Sequence, residues 1–183
     1  EVEHYTVIEG RGIESVGFLG DEIGQVEKVW GKADQIYMDD STLPPYPRYV
    51  SHEYYQRGVI FTTTEKDDEI LSITIFCRPR PSWSNPNVSF QAFKGKTPKG
   101  LVFGGEMSVD NIYAVYGTPK VVKDGGELIL DRKLSKSLIK AGEPYIIDEG
   151  AQGWRIQYPK LNMSFWASSV SGSVISCQMS DRS

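Results

Sequence analysis

The chain has 183 residues, 39% of them hydrophobic and 24% charged. That is globular composition and excludes disorder throughout. The net charge of −4 argues against nucleic acid as a partner, because general nucleic-acid binders are basic.

No apolar run approaches the roughly 20 residues of a membrane helix, so no transmembrane segment is expected. The first residue is Glu1, and no signal peptide is read from the sequence. Either a leader has been removed or the chain has been trimmed. The former points to export, secreted or associated with the cell envelope. Charge is uneven along the chain. Residues 1–90 hold 8 Lys and Arg against 15 Asp and Glu, and residues 91–183 hold 12 against 9. This asymmetry helps the halves attract or orients a partner; two independently solvated surfaces are the plainer reading.

Residues 12–34 read "GIESVGFLGDEIGQVEKVWGKAD". Ile23, Val26, Val29 and Trp30 are spaced for one face of a short helix. Gly31 stands where such a helix ends in a left-handed residue. A Pro- and Tyr-containing loop, "MDDSTLPPYPRYV", follows. Alternation then predicts strands over about 50–55, 58–64 and 69–77. The stretch "RPRPSWSNPN" (78–87) is too Pro-rich for a helix or a central strand and marks a boundary.

Beyond it the pattern returns. At an offset of 86, Val109, Ile112, Val115, Tyr116 and Gly117 meet Ile23, Val26, Val29, Trp30 and Gly31. "VYGTPK" (115–120) thus repeats the helix stop of "VWGKAD" (29–34), and Pro119 cannot continue the helix. At an offset of 104, "NMSFWASSVSGSVISCQMS" (162–180) meets "GVIFTTTEKDDEILSITIF" (58–76). Gly58 aligns with Asn162, residue types that tolerate positive φ. Strands are expected over about 153–158, 162–168 and 173–180. The two offsets differ by 18 residues, which lie within 123–152. There "ELIL" reads as a strand, and Leu134 and Leu138 as a short helix carrying Lys133, Lys136 and Lys140.

The expected fold class is α+β: two tandem helix-plus-antiparallel-meander repeats, with the helices packed on one face of the sheet. Residues 1–80 form unit 1, 81–89 a Pro-rich linker, and 90–183 unit 2 with an inserted segment at about 121–152. The alternative is one compact domain.

"TPKGLVFGGEMSVDNIYAVYGTP" (97–119) and residues 12–34 resemble the opening of repeats in bacterial exported proteins: a glycine turn, a short helix, then Tyr-Gly-x-Pro. With the later Gly-apolar-x-Phe and a final apolar strand, the pattern is similar to the β-lactamase-inhibitor-protein-like group. It is also similar to the small lipoprotein of the outer-membrane barrel assembly machinery. The resemblance implies helices on one face of an antiparallel sheet, the other face free, and non-enzymatic protein binding. It does not imply a β-lactamase as the partner, because no inhibitory contact residue matches a position here. The extra residue in "FGGEM" and the long insertion depart from the pattern.

Catalytic chemistry has little footing. A nucleophile needs a base within hydrogen-bond reach, and neither His4 nor His52 sits in a recognisable motif. Two cysteines, Cys77 and Cys177, permit one disulfide or none and exclude a cysteine-based zinc site. Cys177 aligns with Ile73 and reads as a buried structural thiol. "KGKTPKG" (94–100) contains Gly-Lys-Thr, but the earlier glycine of a phosphate loop is replaced by Phe90. Asp39-Asp40 and Asp67-Asp68-Glu69 lack the alternating ligands of a calcium loop. No catalytic residue, metal or cofactor is expected.

Strand parity points instead to a surface. With Val59, Phe61, Leu71, Ile73 and Ile75 facing the helices, Ile60, Thr62, Thr74 and Phe76 face away. In the second half Met163, Phe165, Ile175, Cys177 and Met179 face in, and Ser164, Trp166 and Gln178 face away. Small hydroxyl residues with aromatic anchors read as a docking surface for an unidentified protein. Tyr46, Tyr49, Tyr54, Tyr55 and Trp83 are expected at its rim. Ser and Thr are also ordinary on a solvated strand face. The function expected is that of an exported, non-enzymatic protein-binding protein. The alternatives are a hydrolase-type enzyme with a site between the repeats and a cell-envelope carbohydrate-binding module using Trp83, Trp154 and Trp166.

Overall fold

A computed structural model of the protein describes residues 3–124, 127–128 and 132–180. The chain opens with β1 (Tyr5–Ile8), β2 (Gly12–Ile13) and β3 (Gly17–Phe18), followed by helix α1 (Ile23–Trp30). Then come β4 (Gln35–Met38), β5 (Tyr49–Tyr54), β6 (Val59–Thr64) and β7 (Asp67–Phe76). Short strands β8 (Arg80–Pro81), β9 (Ser89–Phe90), β10 (Gly95–Lys96) and β11 (Val102–Phe103) lead to α2 (Val109–Tyr116). The last third holds β12 (Val121–Asp124), β13 (Glu127–Leu128), α3 (Arg132–Lys140) and β14 (Tyr145–Asp148). It closes with β15 (Trp154–Tyr158), β16 (Met163–Ala167) and β17 (Val174–Ser180).

Ten strands form the main sheet in the order β13-β12-β14-β15-β16-β17-β7-β6-β5-β4. Its pairs are antiparallel except β12 with β14, which run parallel with β13 and α3 in the crossover. A second sheet has the order β11-β10-β1-β2-β3, and β8 and β9 form a separate ribbon. One buried cluster joins Val7 and Ile13 of the small sheet, Val26 of α1 and Ile112 of α2 to Phe61, Ile73, Phe165 and Met179 of the large one.

The expected α+β class is corrected. The described residues are mostly β, 42% strand against 16% helix, and the large sheet is mixed. It is not built from two helix-plus-meander repeats. The physical reason is coverage. Helices α1 and α2 have eight residues each, about 12 Å of length, whereas ten strands span roughly 43 Å. The glycine-rich segments preceding each helix, read as turns, supply the rest of the cover as strands. Tyr5 pairs in parallel with Gly95. Gly12 has φ +143°, and a Cβ there would lie 2.4 Å from the Gly17 carbonyl oxygen, so only glycine lets these backbones meet.

The six meander strands lie within two residues of their expected spans. Each half also carries a matching aromatic triad on the core side. Trp30 meets Tyr54 at 5.4 Å and Phe61 at 5.9 Å between ring centres. Tyr116 meets Tyr158 at 5.6 Å and Phe165 at 6.2 Å. Gly58 and Asn162 both have positive φ, 68° and 52°, as their alignment predicts. Gly31 (φ 78°, ψ −174°) and Gly117 (φ 96°, ψ 150°) also have positive φ, but with extended ψ rather than the left-handed helical turn expected. That region is essentially restricted to glycine. In the insertion, α3 carries Lys136, Leu138 and Lys140. Ile129 and Leu130 of "ELIL" and the side chains of Lys133 and Leu134 lie outside the described residues. Among the described residues no helix is long and apolar enough to cross a membrane.

Candidate functional site

The face of the large sheet turned away from the core is laid out by strand register. Glu53, Ile60, Thr74, Gln178 and Ser164 are successive neighbours across β5, β6, β7, β17 and β16. Ser51, Thr62, Ser72 and Ser180 form the row on one side. Phe76, Ser176, Trp166 and Arg155 form the row on the other. Ile60, Thr62, Thr74, Phe76, Ser164, Trp166 and Gln178, the residues singled out by parity, therefore share one face.

They are not equally open. The linker folds back, and its ribbon lays Phe90 on Phe76 with ring centres 4.5 Å apart. Tyr55 closes on Phe90 at 4.9 Å. Phe76 and Tyr55 are thus buried and are corrected from their places in the docking face and its rim. Tyr54 is corrected too. It follows Val50 and His52 on the core side of β5 and is buried against Trp30 and Phe61. Tyr46 is exposed in the β4–β5 loop, and Tyr49 and Trp83 are exposed and line a cavity on this face.

Two further residues change sides. Leu71 and Ile175, expected in the core, are only half-buried, and Ile70 and Val174 are buried in their place. The β6–β7 register shifts between Thr62 and Thr64, and the β16–β17 register between Trp166 and Ala167. An odd number of extra residues in one strand of a pair reverses parity beyond the irregularity.

Two basins open on the face, with Trp83 between them. The larger, about 560 Å³, has Tyr37, Tyr49 and Trp83 on its walls, and its charged residues among those described are Asp39 and Glu53. The smaller, about 270 Å³, is shared by Trp83, Glu149, Arg155, Trp166 and Gln178. Hydrogen bonds from Ser41 hold the Asp39 carboxyl below its usual range, so it is an anion at neutral pH.

Glu53, missed in the sequence, organises this region. It is 3% exposed. Its Oε2 accepts hydrogen bonds from the Tyr55 hydroxyl at 2.8 Å, Ser84 at 2.6 Å and Ser82 at 3.2 Å. Among the described residues no cation pairs with it and no donor reaches Oε1. The signal was its alternation with Ser51, which puts it on the free face.

The groups considered for catalysis lie elsewhere. His52 is buried on the core side, its Nε2 2.9 Å from Thr63 Oγ1, and burial lowers its pKa. Cys77 and Cys177 are buried free thiols. Burial pushes the Cys77 thiol up to about 12 and raises that of Cys177 well above its ordinary value. Among the described residues no group of three His, Cys, Asp or Glu side chains is placed to hold a metal ion. Trp154 shares its parity with buried Ile156 and Tyr158, so it is not on the face that carries Trp83 and Trp166. No protein-family model matches the chain, and no curated protein or solved structure matches it either.

Proposed function

We propose that the protein is a non-enzymatic binding protein that engages another protein through the free face of its large sheet, centred on Trp83. One observation carries the reading. Trp83 is 83% exposed, yet the flanking Ser82 and Ser84 tie its loop to buried Glu53. A large ring held in water by a fixed loop is the kind of anchor that dominates interface energies. Tyr37 and Tyr49, 45% and 49% exposed, extend the same rim.

Among the described residues no Lys, Arg or His lines the larger basin, so a basic partner surface suits it. Sugar stacking has less support, because the Arg80 guanidinium already covers the Trp166 ring at 4.3 Å and Trp154 lies on the other side. A hydrolase site gains none from His52, which faces the core. The resemblance of residues 12–34 and 97–119 to repeats of exported proteins supports a partner in the secreted or envelope fraction.

The test is capture from those fractions by wild type, Trp83→Ala and Val170→Ala, the last altering a residue that is 97% exposed and lines neither basin. A protein retained by wild type and Val170→Ala but lost by Trp83→Ala is expected. Equal retention by all three, or retention by none, contradicts the proposal.

A further inference from the structure

Trp83 also borders a third cavity of about 570 Å³, between the start of the linker and the β16–β17 turn. Its charged residues are Arg78 and Arg80, and among the described residues no carboxylate lines it. The Arg78 Nε is buried and has no hydrogen-bond partner. Among the described residues neither guanidinium forms an ion pair. The nearby acids are engaged elsewhere, Glu53 with three hydroxyls and Glu149 with Arg155.

A buried N–H donor left unpaired is costly, and native proteins rarely keep one without a use. Arg80 is positioned for such a use. Its guanidinium lies 4.3 Å over the Trp166 ring, and that ring is fixed by an indole N–H donating to the Gln152 carbonyl at 2.7 Å. Burial lowers the Arg80 pKa, the mark of a guanidinium short of solvent. Ser168 and Ser171 also line the cavity, with Ser82, Trp83, Ile175 and three prolines. The Ser168 oxygen accepts from the Val170 and Ser171 amides, both at 3.3 Å, which leaves its hydroxyl proton free to donate.

We infer that this cavity binds an oxyanion, a phosphate or carboxylate group, held by Arg78 and Arg80 with help from Ser168. Planar guanidinium forks suit both groups, and lysine does not replace them in such a site. This site goes beyond the protein-binding reading and does not depend on it.

The direct test is to follow the Arg78 Nε–H resonance of the wild-type protein while adding inorganic phosphate or acetate, with chloride at matched ionic strength as control. A saturable shift is expected below about 10 mM, an affinity of the millimolar class. Saturation with phosphate alone assigns a phosphoryl group, and with acetate alone a carboxylate. Arg80→Lys keeps the charge but loses the fork, and at least tenfold weaker binding is expected. An unmoved Arg78 signal overturns the inference. So does a shift reproduced by chloride or shared equally by exposed Arg155, and so does unchanged affinity in Arg80→Lys.

Discussion

The Tyr54 hydroxyl donates a 3.0 Å hydrogen bond to the carbonyl of Gly31, the residue that ends α1. The same contact recurs 104 residues later, where Tyr158 donates to Gly117 at the end of α2, at 2.7 Å. Each helix stop is therefore satisfied by a tyrosine from a meander strand beneath it, and this is what the recurring "VWG" and "VYG" fragments serve.

Tyr54→Phe and Tyr158→Phe should each cost about 1 kcal/mol, the net worth of one such bond. The helices share no partner here, so the double variant should lose the sum. Urea midpoints check this. Burial pushes the Tyr54 pKa up to about 12, against about 10 in an unfolded chain. Its contribution is full below pH 10 and is lost as pH rises through 12. The midpoint should fall over that window in wild type and fall less in Tyr54→Phe.

Glu53→Ala removes the acceptor for Tyr55, Ser82 and Ser84. A loss of about 2–3 kcal/mol is expected, together with faster motion of Trp83, read by fluorescence anisotropy. Glu53→Gln keeps an acceptor oxygen and should recover more than half of the loss. Unchanged anisotropy in Glu53→Ala would show that the loop is held by other contacts.

His52 should make the protein acid-sensitive. Its folded pKa is lowered by burial, so the unfolded state takes up the proton more readily. Stability is then complete above about pH 6.5 and declines as pH falls below it. Wild type should lose more stability between pH 7.5 and pH 5.5 than His52→Asn does, as measured by urea unfolding at both pH values.

The strands were legible and their assembly was not. Alternation located the meanders because each strand buries one face, as in Val59, Phe61 and Thr63. The small sheet gave no periodic signal. Its members β2, β3, β10 and β11 are two residues long, and pairing of Tyr5 with Gly95 is a property of the folded chain. The parity errors at Leu71 and Ile175 are aligned positions, each beside a bulge that no alternation rule registers. Of the site, the free-face row was readable, but the cover that Phe90 places on Phe76 was not, because a Pro-rich linker carries no direction. Tyr54 was readable, since 50, 52 and 54 share parity.

Gly58 and Asn162 separate two uses of positive φ. A Cβ at Gly58 would lie 2.1 Å from the Gln91 carbonyl oxygen, so Gly58→Ala should cost about 2 kcal/mol or more. Asn162 sits in the left-handed region with its side chain donating to Gly10. Asn162→Gly should stay within about 1 kcal/mol of wild type. Thermal unfolding of the two variants checks the contrast.

The most direct measurement is photo-cross-linking in the native host with benzoylphenylalanine at position 49, which lines the same basin as Trp83, beside a control at position 170. The expected result is a discrete protein adduct at 49, joined through a basic segment of the partner, and none at 170. No adduct at 49, or the same adducts at both positions, would contradict a binding face centred on Trp83.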